Sequence, residues 1–186
     1  MLSAEFTLTL PRWIPDEVDA DRRFTDDEER VGLAIRLARR NVVERTGGPF
    51  GAALFDAEGR LISVGVNRVL PEHCSVAHAE TTALMLGQAR VKRARLNSDG
   101  ARYILATSAQ PCAMCYGASI WAGIDELVIG ARAEDVMELS EFDEGPLPAD
   151  WVGELEKRGI AVRRDVFRLA AREVFDLYAT LGGARY

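Results

Sequence analysis

Two short segments, H-A-E at 78–80 and P-C-A-M-C at 111–115, constrain this chain more than any other feature. Cys112 and Cys115, separated by two residues, lie on one side of a helical turn, and Pro111 before them suits the first helical position, where a missing N–H costs nothing. Free N–H groups and the helix dipole at such a turn favour thiolate over thiol. If a second element brings His78 to this turn, three zinc ligands meet and a fourth position stays open, as in catalytic zinc sites.

Glu80 follows His78 by two residues, and this spacing sets a condition on the fold. Residues two apart in a regular helix lie roughly 200° apart around its axis. Both side chains therefore face one pocket only if His78 stands at the entrance of the helix. A carboxylate beside a metal site, and not itself a ligand, can take a proton from water and give it to a leaving group. The order H-x-E followed by P-C-x-x-C is a signature of zinc-dependent deaminases of bases.

Other interpretations of these residues stay open. A structural zinc site or a chance spacing is the alternative for the three ligands, but Glu80 would have no role in a structural site. His73 is the only other histidine and a possible ligand, whereas Cys74 favours core packing because free cysteine is commonly buried. Phe50 and Trp121 could stack on a planar ligand or fill the core. Asn67 could hydrogen-bond the edge of a base or have a structural role in a turn.

The composition excludes several classes of protein. The chain has 186 residues, 48% of them hydrophobic and 28% charged, which is typical of one globular domain with a sizeable core. No segment approaches the roughly 18 apolar residues of a membrane helix, and no signal pattern opens the chain, so we expect a cytoplasmic protein with reduced thiols. The net charge of −6 argues against broad nucleic-acid binding. The basic residues between Arg90 and Arg95 favour a solvated helix end over a phosphate site.

Alternating helices and strands predict an α/β layered fold. Residues 1–24 are expected to form an N-terminal extension with one short strand, and residues 25–186 the main domain. The loop at about 140–150 contains acidic, aromatic, proline and glycine residues and is interpreted as a lid. The predicted elements of the main domain are a helix from a capping box at 25–28 to the breaker at 47–49, a hairpin of strands 50–55 and 61–66, a helix from 78 to about 96, a strand at 103–107, the cysteine helix closing at 123, a strand at 126–130, a helical turn at 135–139, a helix at 151–157, a strand at 160–163 and a closing helix at 165–181.

Beyond these patterns, the chain from about residue 27 to the closing helix resembles the cytidine-deaminase-like superfamily, and within it the bacterial guanine deaminases. The zinc motif is shared across the superfamily, whereas G-G-P-F at 47–50, V-N-R at 66–68 and F-D-E-G-P at 142–146 narrow the resemblance to guanine. The resemblance implies a three-layer α/β/α sandwich around a five-stranded mixed sheet, one Zn²⁺ per chain and a homodimer.

The resemblance also implies a reaction, the hydrolytic deamination of guanine to xanthine and ammonia. Zinc would be held by His78, Cys112 and Cys115. Glu80 would be the main proton carrier, and Glu144 would be a second carboxylate placed over the pocket.

For the substrate, the resemblance implies that Asn67 hydrogen-bonds the base, that Phe50 and Trp121 flank its ring, and that Asp143 replaces Glu144 if the register differs by one. Tyr186 at the C-terminus is expected to approach a pocket. Gln110 stands where the superfamily commonly has glutamate, so altered hydrogen bonding is expected there, not lost activity.

Three alternatives to guanine deamination remain. The substrate could be another amino-heterocycle, such as an aminotriazine, cytosine or a nucleoside. A tRNA adenosine deaminase shares the zinc motif but needs a basic surface for the RNA backbone. A zinc-stabilised protein without catalysis would bind a purine or a protein partner and release no ammonia.

Overall fold

The computed structural model describes residues 2, 4–140 and 142–184; Tyr186, for which an approach to a pocket is predicted, lies outside them. Its strands are β1 (Gly51–Asp56), β2 (Leu61–Val66), β3 (Tyr103–Ala109), β4 (Glu126–Ala131) and β5 (Ala161–Arg163). They form one sheet in the order β2-β1-β3-β4-β5. β1 pairs antiparallel with β2 and β3, whereas β3, β4 and β5 run parallel. The predicted five-stranded mixed sheet is confirmed.

Helices cover both faces of this sheet. They are α1 (Ile14–Glu17), α2 (Asp27–Val43), α3 (Val69–Glu72), α4 (Ala79–Val91), α5 (Ala113–Ala122), α6 (Ala133–Ser140), α7 (Trp151–Glu156) and α8 (Arg168–Thr180). Ala53 and Phe55 of β1 pack with α2 and α8, whereas Ala52 and Leu54 pack with α4 and α5. Every residue of β1 is buried, as expected for a strand covered on both faces. The three-layer α/β/α sandwich is confirmed.

Helix α2 begins one residue later than its predicted capping box. Oδ1 of Asp26 accepts from the backbone N–H of Glu29 at 2.8 Å, and Oε2 of Glu29 accepts from that of Thr25 at 2.8 Å. The box therefore uses Asp26 and Glu29, because an aspartate at the N-cap accepts at least as well as the preceding threonine. The helix ends at Val43, before the predicted glycines, and Arg45 beyond it has a left-handed backbone with φ of 54°.

Three other predictions about elements were wrong. Helix α4 ends at Val91 instead of near residue 96, because Lys92 adopts a left-handed φ of 56°. The segment before α4, predicted to be loose, contains the four-residue α3. Within the described part of residues 1–24, α1 is present and no strand is, and Trp13 and Ile14 are buried in the core beside α2.

The domain boundary at residue 24 stays a prediction.

Among the described residues, no helix is long and apolar enough to cross a bilayer.

Candidate metal centre

Two helix entrances carry the predicted ligands. His78 is the N-cap residue of α4, with extended backbone at φ −75° and ψ 162°, and Cys112 is the N-cap residue of α5, with φ −64° and ψ 172°. The predicted place of His78 at a helix entrance is confirmed. Because α5 begins at Ala113, Pro111 precedes the N-cap, and its predicted place at the first helical position was wrong. Cys115 lies in the first turn of α5 and is buried.

The structure brings the three ligand residues together. Nδ1 of His78 lies 3.6 Å from Sγ of Cys112 and 3.6 Å from Sγ of Cys115. A tetrahedral zinc ion with Zn–S of about 2.3 Å and Zn–N of about 2.05 Å separates S from N by about 3.6 Å. The donor set and its spacing therefore fit zinc, with three protein ligands. Among the described residues this is the one such group of histidine, cysteine and acidic side chains, and neither His73 nor Cys74 belongs to it.

The two cysteines shift each other's pKa in opposite directions. Because the Cys115 thiol donates to the Cys112 sulfur, the pKa of Cys112 is lowered to about 4, against the opposing effect of burial. The same hydrogen bond raises the pKa of Cys115. Burial disfavours the charged His78 ring, but its hydrogen bond with Cys112 and the charge of Glu80 outweigh burial and raise the pKa of His78. A thiolate facing an imidazole is the arrangement that binds a soft or borderline cation.

Glu80 lies in the first turn of α4, beside the ligands and 6% exposed. Burial, followed by the charge of Cys112, raises the pKa of Glu80 to about 7. A carboxyl group with a pKa near neutrality can both take and give a proton at physiological pH. Its position and its pKa thus suit the predicted role of proton carrier.

Glu144 comes from the loop after α6 and is 8% exposed. Burial, followed by the charges of Cys112 and Glu80, raises the pKa of Glu144 to about 8. Both carboxyl groups line one cavity of about 150 Å³ together with His78 and Cys112. The remaining lining residues are Phe50, Val69, Ser75, Gln110, Phe142 and Asp143. Helix α4 and the loop after α6 therefore each place one titratable carboxyl group in this cavity, beside the ligand cluster.

Asn67 follows β2 and is almost completely buried, at 1% exposure. Its backbone N–H donates to the carbonyl of Phe50 at 3.1 Å, and its Oδ1 accepts from the N–H of Val69 at 3.2 Å. The side chain of Asn41 donates to the Asn67 carbonyl at 3.0 Å. Nδ2 of Asn67, in contrast, is buried and has no hydrogen-bond partner among the described residues. Asn67 is thus bonded to two residues of the cavity wall, Phe50 and Val69, but it is not itself among the residues that line the cavity.

The structure does not bring Trp121 to this cavity. Its side chain is 80% exposed and lines a different groove, of about 380 Å³, between α4 and α5. Asp143 does line the cavity, but it is exposed and its Oδ1 accepts from the backbone N–H of Gly145 at 2.8 Å. Phe50 lines the cavity as predicted for a residue that could stack on a ring.

Phe142 also lines the cavity, although no site role was predicted for it. Its ring lies 5.6 Å from that of Phe50 and 6.2 Å from that of Tyr178, and Phe50 contacts Phe175 at 5.5 Å. The available signal was its place beside Asp143 and Glu144 in the predicted lid. Gln110, expected to alter hydrogen bonding near the metal, lines the cavity itself, and its Oε1 accepts from the N–H of Ala133 at 3.4 Å.

The arginines at and after the end of α4 contact neighbouring backbone carbonyls and a carboxylate. Arg90 donates to the carbonyl of Ile62 at 2.9 Å, and Arg95 donates to that of Ile120 at 3.0 Å. Arg93 pairs with Asp99. These contacts support the interpretation of a helix end over that of a phosphate site.

Comparison with known proteins identifies relatives of this chain. Residues 24–131 match the family described as the cytidine and deoxycytidylate deaminase zinc-binding region. The guanine deaminase of Bacillus subtilis (strain 168) is 35% identical over 111 residues, which are 60% of this chain and 67% of that protein. A tRNA-specific adenosine deaminase of Buchnera aphidicola (subspecies Schizaphis graminum) is 32% identical over 120 residues, 64% of this chain and 72% of that protein.

A solved structure of guanine deaminase from Nitrosomonas europaea is similar over nearly the whole chain. It superimposes with a TM-score of 0.90 at 41% identity and covers 97% of this chain and 99% of that one. A further match, a complex with 2,6-diaminopurine, has a TM-score of 0.90 at 42% identity and covers 97% of this chain and 95% of that one.

Proposed function

The chain belongs to the cytidine and deoxycytidylate deaminase zinc-binding family, and from this premise we propose that it is a zinc-dependent aminohydrolase converting guanine and water to xanthine and ammonia. One observation carries the proposal: a His-Cys-Cys cluster at zinc spacing shares a cavity with two buried carboxyl groups, Glu80 and Glu144. The guanine deaminases among its relatives, one of them similar over nearly the whole chain, support guanine as the substrate.

The ligand residues hold zinc, and the carboxyl groups move protons. His78, Cys112 and Cys115 would hold zinc, which when bound would supply an acidified water molecule as the nucleophile. Glu80, whose pKa is raised to about 7, takes a proton from the attacking water. It then delivers that proton to a ring nitrogen of the base. The carbon that bore the exocyclic amine gains oxygen, and its bond to nitrogen breaks.

Glu144 is proposed to protonate the departing amine. Burial raises its pKa to about 8, so the carboxyl group carries a proton at neutral pH and can donate it. With Glu80 as the base and Glu144 as an acid, the leaving group departs as ammonia, and the remaining proton of the attacking water passes to the Glu144 carboxylate as the new carbonyl forms. The two groups face the same cavity, as this division of labour requires.

The base is proposed to bind between Phe50 and the lid, with Asn67 reading its edge. Nδ2 of Asn67 has no hydrogen-bond partner among the described residues, so we propose that it donates to an acceptor on the ligand, while the Oδ1 and backbone of Asn67 hold the residue in place. A purine offers acceptor nitrogens and, in guanine, a carbonyl oxygen. An aromatic wall at Phe50 favours a flat ligand.

The test is ammonia release by the purified protein. We expect release from guanine that a chelator abolishes, and little or none from guanosine, cytosine, cytidine, adenine, an aminotriazine or tRNA. Glu80→Gln should keep about one zinc per chain and lose about 10²- to 10⁴-fold in kcat. Glu58→Gln, an exposed carboxylate paired with Arg60, is the matched control and should keep full activity.

Three results would count against the proposal. Near-normal turnover by Glu80→Gln would remove Glu80 from the mechanism. Full zinc content with no ammonia from guanine would favour another amino-heterocycle if one is deaminated, or a non-catalytic zinc protein if none is. Salt-sensitive tRNA binding with deamination of its adenosine would favour the tRNA-specific alternative.

We also propose that the protein is a homodimer formed through the groove between α4 and α5. The groove is lined mostly by apolar side chains, and three of them are exposed: Trp121, Met85 and Val76. Exposed apolar patches of this kind usually mark an interface, and an isologous dimer would bury the same patch on both copies. Trp121→Glu should shift sedimentation to the monomer, whereas Leu169→Glu, at another exposed apolar residue, should not. An unchanged dimer in Trp121→Glu would place the interface elsewhere.

A cytoplasmic location is proposed as well. The three cysteines of the described residues are unpaired thiols, which persist in a reducing compartment. Fractionation of the native host, with the activity recovered outside the cytosol, would contradict it.

A further inference from the structure

The loop that carries Glu144 is tied to the helix that carries the cysteine ligands. The carbonyl of Glu144 accepts from the backbone N–H of Ala113, the first residue of α5, at 2.8 Å. Cys112 precedes Ala113 directly. The backbone of the second carboxylate and one metal ligand are therefore held together by a single hydrogen bond at the helix entrance.

The approach of the loop to α5 depends on a tight turn. Gly145 has φ of 68°, and a Cβ added there would lie 3.2 Å from Cβ of Ala113. The side chain of Asp143 closes the turn, because its Oδ1 accepts from the N–H of Gly145 at 2.8 Å. Aspartate and asparagine form this local turn readily, whereas alanine cannot form it.

The side chains of Asp143 and Glu144 point to different surroundings. Asp143 is exposed at the mouth of the cavity, whereas Glu144 is buried within it. Phe142, on the other side of Asp143, is buried against Phe50. The turn is thus fixed at one end by an aromatic contact and at the other by the Ala113 hydrogen bond.

We propose that Asp143 is a positioning residue whose carboxylate oxygen closes the turn that sets Glu144 over the metal ligands. It acts through backbone geometry, as an acceptor, and needs neither its negative charge nor contact with the base. This inference replaces the substrate-binding role predicted from the sequence, and it rests on the proposed function for the part played by Glu144.

The first test separates the acceptor from the charge. Asp143→Asn keeps an oxygen that can accept from Gly145 and should keep kcat within about threefold. Asp143→Ala loses the acceptor and should lower kcat about 10- to 100-fold with KM nearly unchanged, because small displacements of a catalytic group cost about that much. Asp150→Ala is the matched control: Asp150 is also exposed and accepts a backbone N–H, from Gly153 at 3.0 Å, but it does not line the cavity.

The second test asks whether Asp143 acts through Glu144. In the Glu144→Gln background, Asp143→Ala should cause no further loss of kcat, because the group it positions is already disabled. Gly145→Ala, which disturbs the same turn from its other side, should lower kcat in parallel. Zinc content and thermal unfolding accompany each variant. If Asp143→Ala does not fold, the comparison of Asp143→Asn with Gly145→Ala still decides the proposal.

A third measurement does not depend on activity. Hydrogen exchange at the Ala113 amide should be faster in Asp143→Ala than in the wild type, and unchanged in Asp143→Asn and Asp150→Ala. The proposal is overturned if Asp143→Asn is as impaired as Asp143→Ala, if KM alone changes, if the losses multiply in the Glu144→Gln background, or if Ala113 exchange does not respond. Failure of the proposed function is distinguishable, because it appears as an inactive wild type towards guanine, whereas the exchange data remain interpretable.

Discussion

Replacing Asp135 by asparagine tests how firmly α8 is held to the rest of the fold. Asp135 is buried and accepts from the backbone N–H of Arg132 at 2.8 Å, from Nε and Nη2 of Arg168 at 2.7 and 2.8 Å, and from Arg172. Both of these arginines belong to α8, whose aromatic residues contact the wall of the candidate site. The carboxylate therefore joins α6 and α8 behind that wall.

The cost of this substitution follows from the bonds it removes. An asparagine can still accept from Arg132 through its amide oxygen, but its NH₂ group then faces the guanidinium groups. About two charge-assisted hydrogen bonds are lost, each worth about 1.5 kcal/mol. The side chains of Arg168 and Arg172 are 34% and 25% exposed, so water compensates part of the loss. We expect the free energy of unfolding to fall by about 2–3 kcal/mol, on the low side for a broken buried ion pair.

The assay is thermal unfolding of the zinc-loaded protein, with Asp165→Asn as the matched control. A loss of 2–3 kcal/mol corresponds to a fall in Tm of about 5–10 °C for a chain of this size. Asp165 makes a similar bidentate pair with Arg132, but both side chains are more than a third exposed, so its loss should cost less than about 1 kcal/mol. Its left-handed φ of 69° is one that asparagine tolerates. Equal Tm values for the two variants would refute the argument.

The pH dependence gives a second check on Asp135. Its hydrogen bonds with Arg168, against the opposing effect of burial, hold its pKa well below the ordinary value of 3.8. Because the folded pKa is lower than the unfolded one, the carboxylate stabilises the fold above the unfolded pKa and loses this contribution as the pH falls through the folded pKa. The difference in stability between wild type and Asp135→Asn should be constant from about pH 5 to 8 and should narrow below about pH 4.

Three further predictions concern the site. Cys112→Ser should reduce zinc, measured by elemental analysis, to well below one atom per chain, and a full complement of zinc would contradict the assigned ligand set. Gly47→Ala would place a Cβ 1.9 Å from the carbonyl oxygen of Asn67 and should cost more than about 3 kcal/mol in urea unfolding, whereas Gly117→Ala, with nothing within 4 Å, should not destabilise the chain. Gln110→Glu keeps an acceptor for the N–H of Ala133 and should change kcat by no more than about threefold, so a hundredfold loss would show that the neutral amide is needed.

Much of the fold and of the metal centre could be predicted because the responsible signals are local. The spacing of His78 and Glu80 requires a helix entrance, and the structure has one there. The apolar segments 50–55 and 103–107 predict strands, and every residue of the strands found there, Gly51–Asp56 and Tyr103–Ala109, is buried. The Cys-x-x-Cys spacing predicts neighbouring ligands whatever the tertiary fold.

One of the remaining errors has a local cause, and the others have tertiary causes. The two adjacent acceptors at Thr25 and Asp26 compete for one helix entrance, and sequence does not rank them. The face on which Trp121 would lie could not be chosen, because α5 is apolar on most of its surface. The N–H of Ala113 was expected to be free near the thiols, but a loop about 30 residues later in the chain occupies it. Such long-range contacts leave no periodicity in the sequence.

The convergence of helix entrances explains how an acidic protein can bury this site. Cys112 and the ionised form of Glu80 bring negative charge into one small cavity that also holds Glu144, where desolvation and mutual repulsion would normally exclude it. Helices α4 and α5 both begin there, so the positive ends of two helix dipoles face these groups. Because His78 and Cys112 are themselves the N-cap residues, any ion they hold lies at the same two helix ends. The arrangement that provides the ligands thus also offsets the charge of the proton carriers, and displacing either helix entrance would weaken both functions together.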